Sequence, residues 1–359
     1  MAQPAGGALR RVAFGVFVVL AGCRARSDHS GVTLTFPGSA LGAEGEILHR
    51  QLARFMALHP GIRVVQRETP DAADQRHQLY VQWLNAGTSE PDLLQLDVVW
   101  TPEFAAAGWI LPLDRFHPDT AAFFPATLAA DRWADTLFAV PWFVDVGMLY
   151  WRRDLLPAPP ASFTALDADA RHLMGQGLHY GLVYQGARYE GLVTTFLEYL
   201  EGYGGHILQG RRVTVAEPPG VRALAEMRDQ IYRLGVVPPS VLTWHEEETR
   251  FAFQNGEAAF MRNWPYASRL MEDSTRSRVA GRFGVAPMPA EPDGQPAATL
   301  GGAQLAINRH SRHPDSAWVV VDYLTRPEQM LERARALGQF PARRALYEGG
   351  RLTGALAVP

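Results

Sequence analysis

Acidic and aromatic side chains recur just beyond the carboxyl ends of segments that read as β-strands. Glu44 follows the first such segment and its glycine-containing loop, and Asp97 follows Leu93–Leu96 with Trp100 close behind. Asp145 stands in Pro141-Trp142-Phe143-Val144-Asp145 between two short strands, and Trp264 and Tyr266 follow the apolar run Ala258–Met261. Gly301-Gly302 precedes a strand at Gln304–Asn308. Open α/β sheets bind ligands outside the carboxyl ends of their strands, so these positions are expected to face one crevice. Carboxylates accept paired hydrogen bonds from vicinal hydroxyls, and aromatic faces stack on the C–H faces of sugar rings. The combination suits carbohydrate. Singly, each residue has a plainer role: Asp97 or Asp145 as a cap, Trp264 as core, and Glu246-Glu247-Glu248 as a solvated first helical turn favoured by the macrodipole. Coincidence across several strand ends carries the reading.

Other chemistries lack their residues. There is no phosphate loop, no Gly-x-Ser-x-Gly elbow and no His-Glu-x-x-His helix. The nearest pair of histidines, His310 and His313, sits in a loop and reads as solvated. Gly42–Gly45 precedes a helix and has the form of an anion site, but Glu44 inside it would repel a phosphate. A glycosidase would need two carboxyls roughly 5–9.5 Å apart, one with a shifted pKa, and neither Asp97 nor Asp145 lies in a catalytic motif. No cofactor and no metal is expected.

The elements that must position these residues alternate at first. Val32–Phe36 reads as a strand ended by Pro37-Gly38, and Glu44–His59 as a helix with Leu48, Leu52, Phe55 and Met56 on one face. Ile62–Val65, Asp74–Asn85 and Leu93–Leu96 continue strand, helix, strand, which implies a parallel sheet covered by helices. Leu137–Pro141 and Val146–Trp151 read as short strands. A mainly helical region follows, with Gly191–Tyr203, Pro219–Leu234 and Glu246–Asn255. Strand character returns at Val279–Pro287 and Gln304–Asn308, before helices at Pro314–Leu324 and Pro327–Leu337. A sheet that begins, yields to helices and resumes implies two lobes joined by more than one crossing.

The N-terminus carries its own signals. Arg10-Arg11 precedes the apolar stretch Val12–Leu20, which is too short to cross a hydrocarbon core needing about 20 residues. Basic start, short apolar run and small residues read as an export signal. Leu20-Ala21-Gly22-Cys23 resembles a bacterial lipobox, and Cys23 is the only cysteine in 359 residues. The chain is therefore expected to be an exported domain tethered to a membrane by a diacylated Cys23. No internal disulfide or thiolate metal site is possible with one thiol. Apolar content of 47% supports a packed core, while a net charge of −3 without a basic block argues against nucleic acid.

Longer segments carry a family resemblance. Leu96-Asp97-Val98-Val99-Trp100, Tyr189-Glu190-Gly191-Leu192, Met261-Arg262-Asn263-Trp264-Pro265-Tyr266 and Leu300-Gly301-Gly302 resemble the trehalose/maltose branch of bacterial family 1 solute-binding lipoproteins, which feed ABC importers. So does Glu103–Trp109, and the match runs in order from about Val32 to Phe340. The resemblance implies an α/β, two-lobed periplasmic-binding-protein (Venus-flytrap) fold, type II-like. It divides the chain into a signal peptide (1–22), a lipid-anchored tether (23–31), an N-terminal lobe (32–140 plus 299–345), a C-terminal lobe (141–298) and a short tail (346–359). It makes Glu44, Arg76 and Asp97 hydroxyl partners on the first lobe and puts Asp145 near the crossing. Tyr189 and Glu190 would approach from the second lobe, Trp264 would stack with Tyr266 beside it, and Gly302 would offer backbone. It implies a monomer outside the cytoplasm whose partners are a disaccharide, the permease subunits and, through lipid, the membrane.

Two departures stand out. Ala303 follows the Gly-Gly pair where the family usually has an aromatic, which removes a stacking surface and makes room for another glycoside or an oligosaccharide. Relatives also continue past Gly338–Pro341 with helices that include a basic ligand contact. The chain is thus expected to be short at its C-terminus and to leave apolar surface bare on the second lobe, with a non-functional remnant as the alternative reading.

Overall fold

The computed structural model describes residues 31–39, 41–354 and 356. The signal segment, Cys23 and all of the expected tether but Gly31 lie outside them. Strands of four or more residues and helices of eight or more are numbered in chain order. The first lobe opens with β1 (Val32–Ser39), α1 (Glu44–Leu58), β2 (Ile62–Thr69), α2 (Ala73–Asn85), β3 (Leu93–Asp97) and β4 (Val140–Val146). The second holds β5 (Met148–Arg152), α3 (Phe163–Gly175), β6 (Tyr180–Val183), α4 (Glu190–Gly202), α5 (Pro218–Tyr232), α6 (Glu246–Gln254), β7 (Ala258–Asn263) and β8 (Phe283–Ala286). The chain then returns to the first lobe as β9 (Leu300–Ile307), α7 (Pro314–Leu324) and α8 (Pro327–Leu337).

Helix α1 forms as its periodicity predicts, burying Leu48, Leu52 and Phe55 against Phe36, Tyr323 and Leu324. Each fully buried side chain of this kind contributes roughly 1.5–3 kcal/mol. Strand β1 pairs in parallel with β2 and runs on through Pro37-Gly38, where the sequence suggested an end. The reason lies on its other side. The Asp92 carboxylate takes the Thr35 amide at 2.9 Å and the Gln95 side chain takes the Ser39 amide at 2.9 Å. Pro37, between them, has no amide to offer, so no ladder bond is lost there.

The parallel pairing that strand–helix alternation implied is confined to the two-stranded sheet of β1 and β2; the four-stranded sheet of this lobe is antiparallel throughout. Strand β9 lies antiparallel between β3 and β4, and Phe340–Pro341 adds to the far edge of β4. A strand re-entering from the other lobe runs opposite to those that left. The second sheet has the order β8-β5-β7-β6, with only β7 and β6 parallel. Its core gathers Leu149, Phe163, Leu182, Tyr199 and Phe260.

The first crossing falls at Gly147, not at the 140/141 boundary expected. Pro141, Trp142, Phe143 and Val144 are all buried and form one strand covered on both faces, so the expected break before Asp145 disappears. The return crossing meets it there, the Gly147 amide donating to the Thr299 carbonyl at 3.2 Å. The expected 346–359 tail begins inside the core: Leu346 is buried and the Tyr347 hydroxyl donates to the Pro341 carbonyl at 3.0 Å. On the second lobe, α5 turns Val221, Leu224 and Tyr232 to solvent.

Candidate functional site

A cleft of about 830 Å³ lies where the two lobes face each other, a size suited to a small-molecule ligand. Glu44, Arg76, Asp97, Asp145, Tyr189, Glu190, Trp264 and Gly302 all line it. Tyr266 does not. Its ring is buried against Gly42, where a Cβ would come within 3.3 Å, and its hydroxyl donates to Glu247 at 2.7 Å. It supports the wall behind Trp264.

The acids are held at element ends, as the strand-end argument requires. Glu44 is the first residue of α1, and its carboxylate accepts from Gln339 at 2.6 Å; Gln339 in turn accepts from Arg333 at 2.9 Å. Burial pushes the Glu44 pKa up, against the pull of Arg333 and Arg76. Burial likewise raises Asp97, at the end of β3, with Arg76 opposing. Asp145, near the end of β4, is pushed up to about 8 by burial first and by Glu44 and Asp97 next. Its Oδ1 is buried without a partner. Glu190 opens α4 and is also raised to about 8 by burial, then by Asp97 and Asp74. A helix N-terminus favours a carboxylate, but here burial and neighbouring acids outweigh it. The Glu190 amide donates to Asp74 Oδ1 at 3.3 Å, joining the lobes across the cleft.

The aromatic wall depends on a buried ion pair. The Arg262 guanidinium lies 3.9 Å from the Trp264 ring centre and backs the indole. Arg262 donates to both Glu198 oxygens, at 2.8 and 2.5 Å, and to Gln185 at 3.1 Å; the Arg262 and Glu198 side chains are fully buried. Glu198 also accepts the Thr299 amide at 3.1 Å. A Cβ on Gly147 would fall 1.7 Å from Glu198, so glycine is required at the crossing. A Cβ on Gly301 would stand 3.2 Å from the indole. Gly302 has φ +117°, and a Cβ there would meet the Phe143 carbonyl at 2.3 Å. Its own carbonyl is taken by the Val98 amide at 3.2 Å.

Several contributors escaped the sequence reading. Glu246, expected as solvated, lines the cleft and accepts from the Trp264 indole at 3.4 Å, while Glu248 closes the helix cap on the His245 amide at 2.9 Å. Arg333 is buried against Trp142 at 3.9 Å, and burial lowers its pKa to about 10. The signal for it was present: Met330, Arg333, Ala334 and Leu337 share the buried face of α8. An arginine on such a face needs a charged partner.

The raised carboxyls make stability pH-dependent. Asp145 and Glu190 ordinarily titrate at 3.8 and 4.5, and at about 8 in the folded chain. Between those values the folded state keeps protons that the unfolded chain has released. Their contribution is full below about pH 4 and is lost as pH rises through about 8. The melting temperature of the unliganded protein is expected to fall between about pH 5 and pH 8.5, and Asp145→Asn to flatten that fall. A wild-type Tm that rises over this range contradicts the burial.

Residues 39–331 match the family of bacterial extracellular solute-binding proteins. A probable ABC transporter-binding protein of Deinococcus radiodurans is 36% identical over 338 residues, covering 90% of this chain and 79% of that one. Maltose-bound MalE3 of T. maritima superposes with a TM-score of 0.87 at 40% identity, covering 90% of this chain and 85% of its own. The GacH receptor of Streptomyces glaucescens, solved unliganded and with acarbose, gives 0.82 at 26% identity over 90% and 83% of the two chains. The lobes, the crossings and the cleft thus have the form of a two-lobed periplasmic binding protein. The chain belongs to the bacterial extracellular solute-binding protein family: it is an extracytoplasmic binding protein of the ABC-transporter type, not an enzyme.

Proposed function

We propose that this protein captures a disaccharide of the trehalose or maltose kind between its lobes and delivers it to the permease subunits of an ABC importer, held near them as a monomer by a diacylated Cys23. The observation that carries the reading is one cleft joining a row of carboxylates to the Trp264 indole. Hydroxyls of the sugar donate to Glu44, Asp97, Asp145 and Glu190, and the indole covers an apolar ring face. Closure over the ligand excludes water and presents both lobes together to the transporter, the liganded state being favoured by its extra contacts. The maltose-bound relative at 40% identity supports a sugar of this size.

A second reading keeps the cleft and changes the solute to another glycoside or an oligosaccharide. Ala303 favours it. Its small side chain lines the cleft beside Gly302, where the family resemblance predicts an aromatic.

Intrinsic tryptophan fluorescence, titrated with a panel of disaccharides and longer glycosides, tests both. A saturable response to trehalose or maltose is expected, weakened roughly tenfold or more by Trp264→Ala, about 1.4 kcal/mol. No response to any disaccharide would sink the first reading, and a response to longer glycosides alone would establish the second. For the anchor, Cys23→Ser is expected to shift the exported protein from the membrane to the soluble fraction. Retention of that variant on membranes would show that another feature holds it there.

A further inference from the structure

Helix α4 carries two apolar faces. Leu192, Phe196 and Tyr199 pack into the core of the second lobe. Val193 and Leu197 line the cleft instead. They are four residues apart, which sets one above the other on the helix surface. The side of a surface helix turned away from its core is ordinarily polar. Here Val193 is 55% exposed and Leu197 is half-buried.

The apolar wall continues beyond the helix. Thr299 donates its hydroxyl to the Thr194 carbonyl at 2.8 Å and its amide to Glu198 at 3.1 Å, which sets Leu300 beside the same stretch of α4. Leu300 lines the cleft and is 38% exposed. Gly301 comes next, and a Cβ on it would stand 3.2 Å from the Trp264 indole. The wall therefore runs from the indole past Gly301 and Leu300 to Leu197 and Val193. Its hydroxyls are taken up by the backbone, Thr194 donating to the Gly191 carbonyl at 3.0 Å and Thr299 to Thr194. Glu246 stands at the indole end and Glu190 at the other. A sugar laid along this wall would lose water from its hydroxyls without gaining partners, whereas a hydrocarbon group would gain by covering it. The cleft has the room: about 830 Å³ lies toward the upper end of the roughly 300–1,000 Å³ of small-molecule sites.

We infer that this wall is a subsite for an apolar aglycone. The cleft prefers a glycoside whose anomeric oxygen carries an aryl or alkyl group, with the sugar ring on Trp264 and the aglycone along Leu300, Leu197 and Val193. This narrows the solute class and rests on the sugar-capture reading above. The wall is continuous with the indole on which that reading places the ring, so one ligand spans both.

Calorimetric titration with trehalose, maltose, and the methyl and phenyl α-glycosides of glucose and maltose tests the inference. At least one phenyl glycoside is expected to bind roughly tenfold or more tightly than its methyl counterpart, with a more negative heat-capacity change. Val193→Ser and Leu300→Ser should each lower that phenyl-to-methyl ratio by roughly threefold or more, a ratio that general misfolding does not move. A ratio that survives both substitutions would put the aglycone elsewhere and overturn the subsite, including the case in which all affinities fall together because the wall serves only to pack lobe on lobe. If trehalose or maltose binds and no phenyl glycoside exceeds its methyl counterpart, the inference is overturned while the disaccharide reading stands. If phenyl glycosides bind and neither disaccharide does, the inference holds and the disaccharide reading falls. If no sugar of any kind binds, both fall.

Discussion

Both crossings between the lobes and the Trp264 wall of the cleft meet at one buried ion pair. Glu198 accepts two bonds from Arg262 and one from the Thr299 amide, while Gly147 passes so close that no side chain fits. Removing two charges from water costs several kcal/mol per ion, and only near-complete hydrogen bonding offsets it. Here Gln185 and Thr299 complete the set. Because Trp264 rests on the same guanidinium, the indole cannot be reoriented without disturbing the pair that the crossings share. The Trp264 wall of the cleft and both crossings are thereby tied to one buried feature.

The second constraint is repulsion. Acids from both lobes and from the first crossing face one another in a cleft that burial would dehydrate, and their pKa values rise in response. An open cleft hydrates these groups; a closed one must compensate them with donors, protons or positive charge. Under the proposed function, this makes closure dependent on what fills the cleft. It also explains why carboxylates at strand ends need not signal catalysis.

What the sequence made legible was mostly local. The face of α1 followed from the spacing of Leu48, Leu52 and Phe55, and the strand-end rule placed Asp97 and Asp145 on the crevice. The misses were non-local. The antiparallel position of β9 depends on a strand arriving from the other lobe, which no local pattern records. Pro37 looked like a terminator because the side chains relieving it, Asp92 and Gln95, lie more than fifty residues away. Tyr266 sits two residues after Trp264, yet it turns to Glu247 because the chain starts a helical turn there. Arg333 was legible in principle, as a charge on an apolar face whose partners lie on distant elements.

Lobe closure on a sugar is the central claim, and small-angle X-ray scattering reads it directly. Scattering from the purified protein with and without saturating trehalose or maltose should show a smaller radius of gyration in the sugar-bound state. Sugar that binds, as judged on the same sample, without any contraction would contradict capture by closure between the lobes.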